Sequence, residues 1–394
     1  MEAIRPFSTA CPTHYHFGSG ILEGSIDQIL PDRCRLALVV GKRPLEDTEA
    51  GYRMVNRLRK KAVDFIVWSV SSEPSVDQID QAVFKLQKRS VDFVAAIGGG
   101  SALDAGKAIS AMLPLNESIR PYLEGSPDHR AHPGKKRPFI AIPTTAGTGS
   151  ELTKNAVITD RERSRKRSLR HIRFFPDIAI VDPTLTLSCP SLVSAASGMD
   201  ALTQLIEGFV SKKANPWSDA LAIEGIRCVS EALIEVSITN PDDITLREKM
   251  SWAASLSGWV LSQAGLGLVH GFASSIGGIF DIPHGVICAR LLPSVLSANI
   301  DHIQNHSDNP DPLTLSKYIQ VARILGWTEN DPQTAAQYLV AILKQWQSIL
   351  DIPSFGSLGV QSSHIDRIRS MTGQKENPVT LPDEILDGIL RQNI

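Results

Sequence analysis

Short apolar runs rich in valine and isoleucine punctuate the first part of this chain, and after "VDPTLTLSCP" (181–190) they stop. That change of texture narrows the fold more than any other feature. "RLALVVG" (35–41), "DFIVWSV" (64–70), "VDFVAAIGGG" (91–100), "RPFIAIPTT" (137–145) and "IAIVDP" (178–183) read as strands broken off by Gly, Pro or Ser. Between them, "SVDQIDQAVFKLQKR" (75–89) places Val76, Ile79, Val83 and Leu86 on one helical face. Strand and helix in alternation predict a parallel sheet covered on both faces, with ligands at the strands' carboxyl ends. Later segments such as "SLVSAASGMDALTQLIEGFVS" and "TAAQYLVAILKQWQSIL" are long and amphipathic, so the second half is expected to be all-helical. A chain of 394 residues is long for one domain. The expected division is an α/β domain over 1–187 and a helical domain over 188–394.

A formal net charge of −2 offers no global attraction to nucleic acid or an anionic membrane. No apolar run approaches the roughly 20 residues that span a bilayer, and the first residues lack a secretory apolar core. The five cysteines show no CxxC spacing and no even count, which suits reduced thiols in a cytoplasm. One basic run, "RERSRKRSLRHIR" (161–173), reads as a solvated loop.

Two glycine-rich loops follow strands. In "AAIGGGSALDAGKAIS" (95–110), Gly98, Gly99 and Gly100 let backbone approach a phosphate, and a helix opening at Ser101 offers free N–H groups. Ser101 and Asp104 fit an S-x-x-D helix start. A purely structural strand–turn–helix would look the same, and the loop is not G-x-G-x-x-G. In "IPTTAGTGSELT" (142–153), Thr144, Thr145, Thr148 and Ser150 set four hydroxyls around two glycines, which suits a pyrophosphate or ribose. Two such loops on strand ends favour a dinucleotide. Further on, Asp200 and Gln204 share a helical face at i, i+4, and "GLVHGFASSIGGIFDIPHGVICA" (267–289) sets His270 and His284 in core-like surroundings. Taken singly, Asp200 reads as a helix cap and each histidine as packed core. Together, carboxylate, amide and two imidazoles suit divalent iron or zinc.

The ordered set GGGSxxDxxK, PTTxGTGSE, GxDALTxxIE, GLxHG and PHG resembles the iron-containing (group III) alcohol dehydrogenases, from about residue 13 to beyond residue 300. The resemblance implies a Rossmann-like nucleotide-binding domain, a helical domain, and a metal in the cleft between them. Asp200, His270 and His284 fall on three ligand positions of that family. The remaining one, four residues after the aspartate, is Gln204 where most members have histidine, so a variant site with a glutamine ligand is expected. Ser274 stands where many members carry a further histidine able to relay a proton.

The implied reaction is hydride transfer between a nicotinamide and a small alcohol or aldehyde, with Fe2+ (or Zn2+) as Lewis acid and His270 and His284 in the catalytic centre. NAD-preferring members carry an aspartate after the "LVV"-type strand. Here Gly41 is followed by Lys42 and Arg43, so NADP(H) is preferred over NAD(H). The resemblance also assigns Val157, Lys166 and Leu185 to the cofactor. Phe272, Ala273, Ile276 and Phe280 suit a short aliphatic substrate, and Arg170, His171 or Arg173 an anionic one. A homodimer is the default assembly. Rival readings are a metal-independent reductase resembling maleylacetate reductases, an NAD-using lyase resembling dehydroquinate synthase, and a catalytically silent scaffold.

Overall fold

The computed structural model of the protein describes residues 7–9, 14–41, 47, 49–163, 165–305, 311–329 and 331–394. The chain divides into two units, Ala10–Cys189, and Pro190–Ile394 together with the described residues 7–9.

In the first unit, six parallel strands form one sheet: β1 (His14–Phe17), β2 (Arg35–Val40), β3 (Asp64–Ser69), β4 (Phe93–Gly98), β5 (Phe139–Pro143) and β8 (Ile178–Val181), in the order β1-β8-β5-β4-β2-β3. In "RLALVV" every residue after Arg35 is apolar, as a strand covered on both faces requires. Leu36, Leu38 and Val40 pack with Leu22 and Ile26 of α1 (Leu22–Ile29) and with Met54 and Leu58 of α2 (Glu49–Lys60). Ala37 and Val39 turn the other way, toward α3 (Val76–Gln87) and α4 (Gly100–Met112). Helix α3 begins where the sequence placed it, with Ser75 and Gln78 forming a capping box. The chain leaves β2 for β3 on one side and returns to β4 on the other. The β2/β4 pair is therefore a topological switch point, where open α/β sheets bind ligands.

The basic run departs from expectation. It is no solvated loop: Arg165–Arg170 forms strand β7, paired antiparallel with β6 (Asn155–Asp160). Several of its charges are paired, and Arg167 donates to the Glu124 carbonyl at 2.6 Å. Asp160, fully buried, accepts from Arg120 at 3.2 Å and Arg163 at 3.0 Å; Lys166 pairs with Glu73; and Leu169 enters the core.

Among the described residues no strand follows Val181, and the second unit is helical: α5 (Ser191–Phe209), α6 (Pro216–Ile238), α7 (Ile244–Ala264), α8 (Leu268–Ile279), α9 (His284–Asn305), α10 (Pro312–Ile324), α11 (Pro332–Ile349), α12 (Ile365–Met371) and α13 (Asp383–Asn393). Helix α5 is buried nearly all round, as a central helix must be. Among the described residues no helix is long and apolar enough to cross a membrane.

Helix α9 contains Pro293, which has no N–H for the Ala289 carbonyl one turn back. Gln347 of α11 supplies the missing donor, its Nε2 reaching Ala289 O at 2.6 Å and Arg290 O at 2.8 Å. Gln347→Leu is expected to lower unfolding free energy by about 1–3 kcal/mol, the cost of a buried unpaired carbonyl. Adding Pro293→Ala should recover part of that loss in a denaturant titration, because the helix regains its own donor. A loss indifferent to residue 293 would show that the Ala289 carbonyl is not the cause.

Candidate metal centre and nucleotide loops

The first unit builds a glycine–threonine platform at the switch point. Gly41 follows β2 and lies against Gly98, its N–H donating to Ile97 O at 3.3 Å. A Cβ on Gly98 would come within 2.7 Å of Ala102, and one on Gly100 within 2.7 Å of Thr148, so the close approach of these loops demands glycine. The Thr144 N–H donates to Gly98 O at 2.9 Å, and Thr145 lies beside Gly99. Gly41, Gly98, Gly99, Gly100, Ser101, Thr144, Thr145 and Thr148 thus come together around the start of α4, where unpaired N–H groups favour an anion.

The other expected cofactor residues do different things. Asp104 accepts from Ser150 Oγ at 2.6 Å and from the Val157 N–H at 2.8 Å, tying the threonine loop and β6 to α4. Leu185 packs in the core beneath α1. Lys166 sits in β7, paired with Glu73. Lys42 and Arg43 lie outside the described residues. Lys107, part of the same motif but given no role by the sequence reading, is fully buried. Its Nζ reaches Ser150 O (2.8 Å), Ser150 Oγ (3.1 Å), Thr153 Oγ1 (2.9 Å) and Asn155 O (2.8 Å). Burial pulls this amine down to about 8, against the opposing pull of Asp104 and Glu151, while burial pushes the Asp104 carboxyl up.

The helical unit gathers Asp200, His270, His284 and Cys288, whose donor atoms all lie within 4.8 Å of one another. Asp200 Oδ1 lies 3.3 Å from His270 Nε2 and 3.7 Å from His284 Nε2; Cys288 Sγ lies 3.7 and 3.6 Å from the same two nitrogens. Four donors bound tetrahedrally at about 2.0–2.3 Å stand about 3.3–3.8 Å apart, which is the spacing found. Asp200 Oδ1 is buried and makes no hydrogen bond, an orphan that an ion would satisfy.

The expectation of a glutamine ligand is corrected here. Gln204 lies beside the cluster but outside it: its Nε2 donates to Asp200 Oδ2 at 3.3 Å and its Oε1 accepts from Ser257 Oγ at 3.2 Å. The fourth donor is Cys288, one turn after His284 on α9. The chain is therefore an Asp/His/His/Cys site, not a glutamine-substituted one.

Glu207, a further residue the sequence reading left without a role, fixes His270. Its carboxylate accepts from the Gly267 and Val269 N–H groups at 2.9 and 2.6 Å, capping α8, and meets His270 Nδ1 at 2.7 Å. A proton held on Nδ1 leaves the Nε2 lone pair facing the cluster. Asp200, Gln204 and Glu207 follow one another on one face of α5 at i, i+4 and i+7. The electrostatics favour positive charge at the centre. Burial alone would raise Asp200, but the two imidazoles outweigh it and hold the carboxyl below its usual range. Burial likewise opposes charging His270, yet Cys288, Asp200 and Glu207 hold it well above the ordinary imidazole. Burial pushes the Cys288 thiol up to about 12, and a bound cation takes over that proton's place.

Ser274 donates to His270 O at 2.8 Å, and Lys375 Nζ donates to the same carbonyl at 2.9 Å. Phe272, Ala273 and Ile276 are fully buried core, while Phe280 is half-buried with its ring edge-on to His364. Arg170 pairs with Glu124, and His171 accepts from the Arg173 N–H.

Comparison with known proteins accords with this arrangement. A sequence model of iron-containing alcohol dehydrogenases matches residues 12–183, and one of the C-terminal part of the Fe-containing alcohol dehydrogenase family matches residues 194–391. The chain is 29% identical to a 1,3-propanediol dehydrogenase of Citrobacter freundii over 96% of both proteins. It is 30% identical to an NAD-dependent methanol dehydrogenase of Bacillus methanolicus over 84% of both. A crystal structure of a 1,3-propanediol oxidoreductase superposes with a TM-score of 0.87 at 28% identity, covering 99% of this chain and 100% of that one.

Proposed function

This chain belongs to the iron-containing alcohol dehydrogenase family, and from that premise we propose that Asp200, His270, His284 and Cys288 hold its divalent ion and that the loops after β2, β4 and β5 hold its dinucleotide. The protein is a metal-dependent, NAD(P)-linked alcohol/aldehyde oxidoreductase. When bound, the ion supplies Lewis acidity toward the substrate oxygen and the nicotinamide supplies or takes the hydride. The chain's own residues prepare the site. Glu207 keeps the His270 proton on Nδ1, Gln204 turns Asp200 by its outer oxygen, and burial excludes water from three of the four donors. In the other unit, Asp104 and Lys107 shape the threonine loop against the glycine loop.

The four-donor cluster carries this reading. Iron is the metal expected of the family, and the thiol makes zinc the competitor to exclude. Metal analysis of protein purified without chelator, paired with aldehyde reduction before and after stripping, tests it. About one ion per chain is expected, with activity lost on chelation and regained on reloading. Undiminished activity in stripped protein would refute the role given to the cluster. A short aliphatic alcohol/aldehyde pair, as in the names of the propanediol and methanol relatives, is the substrate class to assay first.

NADP(H) is the preferred cofactor in this proposal, because Gly41 leaves the end of β2 without a carboxylate to repel a 2′-phosphate. A Cβ at Gly41 meets nothing closer than 3.9 Å, so a side chain fits there. Gly41→Asp is expected to lower kcat/KM for NADPH by about tenfold or more while sparing NADH, since one added repulsion of about 1.4 kcal/mol suffices. Equal loss with both cofactors would place residue 41 away from the ribose. The thiols of Cys34, Cys189, Cys228 and Cys288 are consistent with action in the cytoplasm, and a homodimer is the assembly we expect.

A further inference from the structure

The helical unit contains a separate open pocket of about 790 Å³ between α9, α11 and α13, of a size that holds small organic ligands. Its walls are two polar stripes on helices that are otherwise apolar where they pack. Arg290, Ser294 and Ser297 follow at i, i+4 and i+7 on α9, and Lys344, Ser348 and Asp351 at i, i+4 and i+7 along α11 and its end. Leu292, Leu296, Leu339, Leu343 and Trp346 of the same helices are buried, so the polar stripes are a local exception.

Three of the lining groups are charged: two cations and one carboxylate. Neither Arg290 nor Lys344 pairs with a carboxylate among the described residues, and the buried Arg290 Nε has no hydrogen-bond partner. A partly desolvated cation with an unmet donor is unfavourable until an anion reaches it. Hydroxyl donors stand beside it, and Asn393 Nδ2 holds Ser294 Oγ at 3.0 Å. Asp351 sits in the left-handed region (φ 51°), where glycine is the easier residue, at the end of α11.

We propose that this pocket binds a phosphate-type oxyanion, with Arg290 as the forked donor, Lys344 as the second cation and the serine hydroxyls completing the shell. None of its lining residues is one of the four metal donors. Its volume leaves room for an organic ester beyond the phosphate itself.

The test is calorimetric titration of metal-loaded full-length protein with inorganic phosphate, and in a second arm with glycerol 3-phosphate. NADPH is kept saturating so that the nucleotide loops are occupied. Saturable binding is expected, weakened about tenfold or more by Arg290→Gln and by Lys344→Gln, since hydrogen bonds to charged groups contribute about 1.5–3 kcal/mol. Asp351→Asn, which removes the one carboxylate, should tighten it. Tighter binding of glycerol 3-phosphate identifies the occupant as an ester, and equal affinity identifies the free ion. No saturable binding in the presence of cofactor, or the same affinity in wild type and all three variants, overturns the proposal.

Discussion

Asp200→Ala and His270→Ala proteins are expected to purify with less than about a tenth of an ion per chain and to reduce aldehyde about a thousandfold more slowly than wild type. Several kcal/mol of charge stabilisation at the substrate oxygen depends on the ion, and about 4 kcal/mol corresponds to a thousandfold in rate. Asp200 is the only carboxylate in the four-donor cluster, and its Oδ1 approaches both imidazoles. Cys288→Ala should weaken metal retention while three donors remain. Glu207→Gln should cost about 10–100-fold in affinity or activity, the usual effect of losing the partner that orients a ligating histidine. Gln204→Ala should keep close to one ion per chain, because its amide is engaged with Asp200 Oδ2 and Ser257 and contributes no donor. The contrast between residues 204 and 288 is the decisive part. If alanine at 204 empties the site and alanine at 288 does not, the cluster has been assigned wrongly.

That contrast also marks where sequence reasoning reached its limit. The parallel sheet, the helical second half, and the grouping of Asp200 with His270 and His284 follow from apolar runs, amphipathic segments and spaced motifs. Cys288 escapes because one cysteine in "GVICARLL" is indistinguishable from packed core; the only available signal was its position four residues after His284. Gln204 was placed by its position in a motif, whereas its role follows from what its amide touches. The hairpin of β6 and β7 escapes for another reason. In "RKRSLR" only Leu169 is apolar, so the strand carries no alternation, and what holds it is backbone pairing with β6, which its own residues do not reveal. Strand β1, "HYHF", is too short and too polar to announce itself. Lys107 is the converse case: a cation that a sequence assigns to a surface lies buried among four oxygens.

Lys107→Met is accordingly expected to cost about 1–3 kcal/mol of stability, since it leaves the buried oxygens of Ser150, Thr153 and Asn155 without their donor. The effect should depend on pH in a defined sense. Burial lowers the folded amine from 10.5 to about 8, so between those values the unfolded chain binds more protons than the folded one. Stability contributed by Lys107 therefore rises with pH across that window, while the desolvation cost of the ammonium is present in full below about 8. The 2.5-unit difference corresponds to about 3 kcal/mol, which should appear as a widening gap between wild type and Lys107→Met in unfolding titrations from pH 8 to 10.5. Function should follow structure. The same amine holds Ser150, Thr153 and Asn155, so the variant's threonine loop loses its anchor and the KM for the nicotinamide cofactor should rise more than kcat falls. A flat pH dependence would show that the ammonium is not desolvated in the folded protein. An unchanged KM in a folded variant would show that the threonine loop is shaped by Asp104 alone.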